Sequence, residues 1–268
     1  MSRRRKIVLK VLISIVAAIL IVIGSLYFLL MRTPVWFKPI TMTEQERGDY
    51  FTQATKQLFD LANSVDKAAV STRPSDSTFT LTLTEPQVHA YYESITQRSD
   101  VARMIDSKVK DSQIRLRDGQ IIVAGRVPGI DSVVSARFSI DTQSDKKGPV
   151  FRLDGIYGGS LPLPDSVFAA QKEAALRAID SEVNRLRGQM KLDPPDDKAL
   201  QVLTATNMVD LLNGKPVDSL VILKRGASAG QSYARVIDAK INDGTATLTF
   251  RLATEAEIAA LKKRLTTG

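Results

Sequence analysis

Three patterns in the chain predict an α+β fold, with an N-terminal transmembrane helix followed by an extracytoplasmic antiparallel (curled) sheet packed on long helices. Behind Arg3-Arg4-Arg5-Lys6, the segment Ile7–Met31 is an apolar run, uncharged from Val11 to Leu30. Several segments alternate apolar and polar residues and are joined by tight-turn dipeptides, as antiparallel strands are. Others repeat apolar residues at helical spacing behind a Thr-x-x-Glu or Thr-x-x-Gln capping box.

The apolar run comes first. About 20 such residues in a helix span the roughly 30 Å hydrocarbon core of a bilayer. Ser14, Ser25 and Gly24 are compatible with a membrane helix, and Lys10 reaches back to the headgroups. The positive-inside rule then places the basic tip in the cytoplasm and the rest outside. The expectation is a single-pass signal anchor of the cytoplasmic membrane, N-terminus inside, carrying an extracytoplasmic (periplasmic) domain of a bacterial envelope. Arg3, Arg4, Arg5 and Lys6 set its orientation, and Trp36 and Phe37 mark its outer interface. A cleaved signal peptide is the alternative, but the run exceeds the usual apolar core of about 7–15 residues and no Ala-x-Ala-like site follows. The boundaries read as 1–6 basic tip, 7–31 anchor, 32–77 membrane-proximal helix and linker, and 78–268 α+β domain with a sub-boundary near 190–197.

The 268 residues carry a net charge of +8 and a pI near 9.6, which alone would suggest a nucleic-acid partner. Seven of the basic residues (Arg3, Arg4, Arg5, Lys6, Lys10, Arg32, Lys38) lie in 1–38, where no acidic residue occurs. Without them the 37 basic residues nearly balance the 29 acidic ones. No long-range field for nucleic acid is expected. The chain has no cysteine, which excludes disulfides, thiolate nucleophiles and Cys-ligated zinc. An external domain of this kind needs a hydrophobic core instead.

Thr43 and Glu46 form a capping box for a helix to about Ala69, with Phe51, Ala54, Leu58, Ala62 and Val65 on one face. The strictly alternating stretch from Phe79 to Thr84 is a strand. Thr84 and Gln87 form a second capping box, with Pro86 in the first helical turn. A meander follows: a hairpin turning at Asp118-Gly119, then strands near 133–141 and 150–157. Residues 158–164, Gly-Gly-Ser-Leu-Pro-Leu-Pro, break the sheet before a helix over 165–187. Residues 192–197 read as a linker. A short helix ending near Asn213-Gly214, strands at 219–224, 233–241 and 245–252, and a terminal helix behind the third capping box at Thr254 and Glu257 complete the order. Asp118-Gly119 and Asp243-Gly244 stand at equal distances before Arg126 and Arg251, an echo that shared hairpin chemistry explains as well as a repeat.

No catalytic set emerges. Gly226-Ala-Ser-Ala-Gly230 matches a nucleophile elbow, but a strand rather than a helix follows Ser228, and the sole histidine, His89, lies upstream. His89 reads as a partly exposed residue on a helix. A pocket converging on it with two carboxylates would indicate an enzyme. Ser-x-x-Lys occurs at Ser64, Ser107 and Ser144 without its companion motifs. Asp193, Asp196 and Asp197 lack an EF-hand pattern and read as linker and helix start. The expectation is therefore a non-enzyme with no cofactor and no metal site.

Two sheet faces remain. Ile114, Leu116, Ile121, Val123, Phe138, Ile140, Phe151 and Leu153 form an apolar face that is either a filled core under the helix at 165–187 or a groove for an apolar ligand. Arg115, Arg126, Arg137 and Arg152 alternate with it as a basic stripe, which either meets an anionic group or is neutralised by Asp141 and Asp154. The order of parts resembles a family of single-pass bacterial extracytoplasmic proteins of unknown function, on Leu83–Tyr92, Arg117–Val127 and the Gly-Ser-Leu-Pro-Leu-Pro element at 159–164. It is distantly similar in style to curled-sheet lipid-binding envelope proteins. That resemblance implies no catalytic residues. The function expected is a membrane-anchored binder of a lipid or other apolar or anionic envelope component. The alternative is a scaffold whose external domain binds another envelope or membrane protein.

Overall fold

The computed structural model describes residues 29–30, 32–69, 77–98, 109–129, 132–142, 148–193, 195–224 and 231–267. Its elements are α1 (Glu44–Ala69), β1 (Thr78–Thr84), α2 (Glu85–Arg98), β2 (Lys110–Arg117), β3 (Gln120–Val127), β4 (Ser132–Asp141), β5 (Val150–Gly158), β6 (Leu161–Pro162), α3 (Asp165–Arg187), α4 (Asp197–Leu212), β7 (Leu220–Lys224), β8 (Gln231–Asn242), β9 (Thr245–Leu252) and α5 (Glu255–Thr267). Two of the three capping boxes form in full, and the one at Thr84 and Gln87 forms in half. Thr43 Oγ1 accepts from Glu46 N at 3.2 Å while Glu46 Oε2 accepts from Thr43 N at 2.8 Å. Thr254 and Glu257 repeat the exchange at 3.3 and 2.8 Å. At the second box, Gln87 Oε1 accepts from Thr84 N at 2.9 Å.

The strands form two open antiparallel sheets rather than one curled sheet, which corrects the expected fold. One has the order β1-β9-β8-β7 and the other β2-β3-β4-β5-β6. Alternation along a strand reports which face a residue takes; it carries no information on closure, and among the described residues no strand returns to close either sheet. The predicted transmembrane helix falls almost wholly on residues outside those described. Among the described residues no helix is long and apolar enough to cross a membrane. The single-pass topology, the signal anchor and the envelope location built on it are withdrawn.

Trp36 and Phe37 lie on protein rather than at a bilayer interface. Phe37 is 3% exposed and packs with Ile122, Ala124 and Val133 on the five-stranded sheet, and Trp36 meets its ring edge-on at 6.0 Å. The chain reaches them past a close contact. Gly159 has φ +58, and a Cβ there would meet the carbonyl oxygens of Leu29 and Leu30 at 2.5 Å. Ser132 Oγ donates to the Leu30 carbonyl at 2.8 Å.

The four-stranded sheet carries most of the core. Its inner face packs Leu81, Val236, Ala239 and Phe250 against Leu61 and Val65 of α1. On the opposite face the β7–β8 half is covered, where Leu220, Ile222 and Tyr233 meet Val183 and Leu186 of α3, Val202 and Leu203 of α4, and Leu261 and Leu265 of α5. Tyr233 Oη donates to the Leu192 carbonyl at 2.8 Å, and burial followed by the Asp193 charge pushes its pKa up to about 12. Thus Leu192 packs against the core on this face, Asp196 caps α4 through Ala199 N at 2.9 Å, and the exposed Asp193 pairs with Lys262 at 3.1 Å.

The start of α5 is fixed by charge. Glu257 bonds Arg251 at 2.7 and 2.9 Å and Arg235 at 2.6 Å, and Arg235 also pairs with Asp218 at 2.9 Å. Burial raises the Glu257 pKa, but the bonds from Arg251 and Thr254 and the Arg235 charge outweigh it and hold it at about 2. The folded state thus binds its proton less readily than the unfolded chain does. This stabilisation is complete above the ordinary value of 4.5 and is lost as pH falls toward 2.

Two outcomes follow. Glu257→Gln should lower the unfolding free energy at pH 7 by roughly 2–3 kcal/mol, and the gap from wild type should narrow as pH falls from 4.5 toward 2 in urea melts. Gly159→Ala should cost about 1–3 kcal/mol and speed proteolysis at Arg32 and Lys38, because Leu29, Leu30 and Arg32 lose their seat.

Candidate functional site

The sequence places the histidine two residues after Gln87 and four before Glu93, so α2 presents Glu85, His89 and Glu93 on one face at helical spacing. That face meets β2 and the start of α1. Glu85 accepts from Leu116 N at 2.8 Å and pairs with the Arg115 guanidinium, which also donates to the Lys38 carbonyl. Glu93 pairs with Arg47 of α1 at 2.9 Å and lies 3.5 Å from His89 Nε2. Gln113, 1% exposed, accepts from Ile40 N at 3.3 Å, and Gln87 donates to Gln53 of α1 at 3.3 Å.

His89 is thus 2% exposed rather than partly exposed. Two carboxylates do lie near it, the arrangement named above as a sign of an enzyme. They are matched by two guanidinium groups, however, Arg115 beside Glu85 and Arg47 beside Glu93. Burial foremost lowers its pKa from 6.5; the Glu93 charge opposes this, while Arg115 and Arg47 add to it. The geometry is that of a polar latch joining α1, α2 and β2. Among the described residues no group of three or more His, Asp or Glu is placed to hold a metal. Ser228, Ser107 and Ser144 lie outside the described residues, and Ser64 turns back to the Asp60 carbonyl at 2.8 Å.

The two predicted sheet faces exist as faces. Cross-strand register aligns Leu116, Ile121, Phe138 and Leu153 in one row, Ile114 with Val123 in the next, and Ile140 with Phe151 beyond. Of these eight only Leu116 is fully buried, against Ile241 and Ala246 of the other sheet. The α3 helix packs on the four-stranded sheet instead of lidding this face. Arg115, Arg126, Arg137 and Arg152 share the opposite face, on which Phe37 lies. Each is engaged: Arg115 with Glu85, Arg126 with Asp111 at 3.6 Å and over Phe37 at 5.7 Å, Arg137 stacked 3.8 Å above Tyr157, and Arg152 with Asp141 at 3.5 Å.

A different site stands at the edge of the four-stranded sheet. A cleft of about 430 Å³ runs between Gln57, Asp60, Leu61 and Ser64 of α1 and Phe79–Thr82 of β1. β1 pairs with β9 over seven consecutive residues without a register shift, and no described strand pairs with its other side. An unpaired strand edge offers a row of N–H and C=O groups that an extended chain satisfies, and proteins ordinarily blunt such edges with charge, proline, bulges or brevity. The other three edges are blunted. β2 carries Lys110, Asp111, Arg115 and Arg117 and shifts register between Lys110 and Gln113. β6 has two residues, one of them Pro162. β7 has five residues and ends on Lys224. β1, Thr-Phe-Thr-Leu-Thr-Leu-Thr, has none of these features. The strand was legible in the sequence; its place at an edge was not, because that depends on β9.

With the His89 pKa lowered in the fold, the unfolded chain takes up a proton first as pH drops through 6.5, so the stability His89 confers is present above that value and declines below it. Urea midpoints of wild type should fall between pH 7.5 and 5.5 more steeply than those of His89→Gln; equal slopes would refute the latch.

No protein-family model, curated protein or solved structure matches this chain. The resemblance to single-pass, curled-sheet envelope proteins is therefore set aside. The membrane, lipid and envelope-protein partners and the anchored binding function, read from the apolar run and the sheet-and-helix layout, are set aside with it, since the sheets are open and no described helix is long and apolar enough to cross a bilayer.

Proposed function

We propose that this chain is a non-catalytic recognition module that takes an extended polypeptide segment onto the free edge of β1, beside α1. The observation that supports this reading most is the unblunted edge itself: seven uncharged residues, β-branched or apolar throughout, flanking a cleft. In strand addition the backbone hydrogen bonds provide affinity, and pockets for alternate side chains provide selection. Here Leu61 and the Phe79–Leu81 row offer an apolar floor, while Gln57, Asp60 and Ser64 offer a polar wall. His89 and its neighbours hold α1, α2 and β2 together and take no chemical part.

The test is selection of displayed random peptides on the full chain at nanomolar concentration. Enriched peptides should alternate apolar and small polar residues. Their affinity should fall at least tenfold in Ser64→Trp, which fills the cleft, with the melting temperature unchanged. Peptides that bind Ser64→Trp as well as wild type would sink the reading. So would an absence of enrichment together with β1 amides that exchange as freely as unpaired ones.

A further inference from the structure

The β1 strand reads almost the same in both directions about Leu81: Thr80 and Thr82 flank it, then Phe79 and Leu83, then Thr78 and Thr84. An antiparallel strand pair places residues that are symmetric about its centre opposite one another. Two copies of β1 paired about Leu81 would therefore set Thr80 against Thr82, Phe79 against Leu83 and Leu81 against itself. These are the same kinds of pairs that β1 already makes with β9: Thr80 with Thr249, Thr82 with Thr247, Phe79 with Phe250, Leu81 with Leu248. We propose that the occupant of the β1 edge is a second copy of this chain, joined by a twofold antiparallel β1–β1 pair. This rests on the strand-addition reading above and names its partner.

Self-complementarity is what a closed twofold interface requires. The pairing continues both stripes of the sheet across the axis, apolar residues beneath α1 and threonines on the other face. Both α1 helices then lie on the same side of the joined sheet, and the cleft walls of Gln57, Asp60 and Ser64 face the partner's helix. No charged residue of β1 opposes the approach.

The experiment is the solution mass of the full chain by light scattering across a concentration series. Wild type should show the dimer mass. Thr80→Lys/Thr82→Lys places like charges opposite one another twice, which is destabilising, and should halve the mass with the circular dichroism spectrum retained. Thr80→Glu/Thr82→Glu should do the same. An equimolar mixture of the two variants should regain the dimer mass, which a merely structural role for these threonines would not produce. If the charged variants fold poorly, copies bearing Thr80→Cys mixed with copies bearing Thr82→Cys provide a second test, because the chain has no other cysteine; mild oxidation should cross-link them into a covalent dimer. A wild-type monomer overturns the second copy. Cleft-dependent peptide binding by that monomer would leave strand addition standing, and no peptide binding would remove both. A lysine variant that keeps the dimer mass also overturns the proposal.

Discussion

Glu85 sits where β1 becomes α2, and the arrangement of both sheets hangs on it. Its amide donates to the Gly244 carbonyl at 2.8 Å, tying the strand-to-helix switch to the β8–β9 turn. Its carboxylate takes the Leu116 amide and the Arg115 guanidinium, tying the same point to β2. Gly244 N closes the triangle by donating to the Leu116 carbonyl at 2.9 Å. One residue thereby joins the edge of one sheet to the turn of the same sheet and the first strand of the other. Leu116, Ile241 and Ala246 fill the space beneath, so the polar junction has an apolar floor. A charged hydrogen bond in such a setting is worth more than one at the surface.

From this junction the rest follows in layers. α2 starts at Glu85 and so lies against β2, which brings His89, Gln113 and Arg115 under cover. α1 closes the cluster through Arg47 and continues along the four-stranded sheet, where Leu61 and Val65 complete the larger core. Because α1 lies on the inner face and stops short of covering the edge of β1, a cleft remains between them. The cleft is thus a by-product of where the latch holds the helix. On the far side, Arg235 and Glu257 play the corresponding part for α5, holding three helices over the other half of the sheet.

Much of this was legible locally. Capping signals at Thr43, Thr84 and Thr254 set three helix starts, and Asp118-Gly119 set a hairpin, because each signal lies within a few residues of what it specifies. Pairings between distant residues left no such mark. Nothing near Phe79 announces Phe250, and nothing near Phe37 announces Ile122. The burial of His89, the cover over the arginine face and the openness of the sheets all depend on these long connections. The two Asp-Gly turns show the limit of spacing as a guide. Asp118 takes φ +49 and Asp243 does not share that positive φ, so equal intervals along the chain conceal different turns.

The pairing of β1 with β9 has a consequence for synthesis. Thr82 meets Thr247 across 165 residues, and translation at about 5–20 residues per second leaves β1 without its neighbour for roughly 10–30 s. During that interval the five-stranded meander, whose partners are mostly adjacent in sequence, can already assemble. β1 waits as an uncharged, strand-prone segment with both sides open, and β9 later satisfies only one of them. The nascent chain therefore presents its stickiest strand earliest and shields it last, which makes ribosome-bound chaperones and the crowding of neighbouring nascent chains relevant to how this fold is reached.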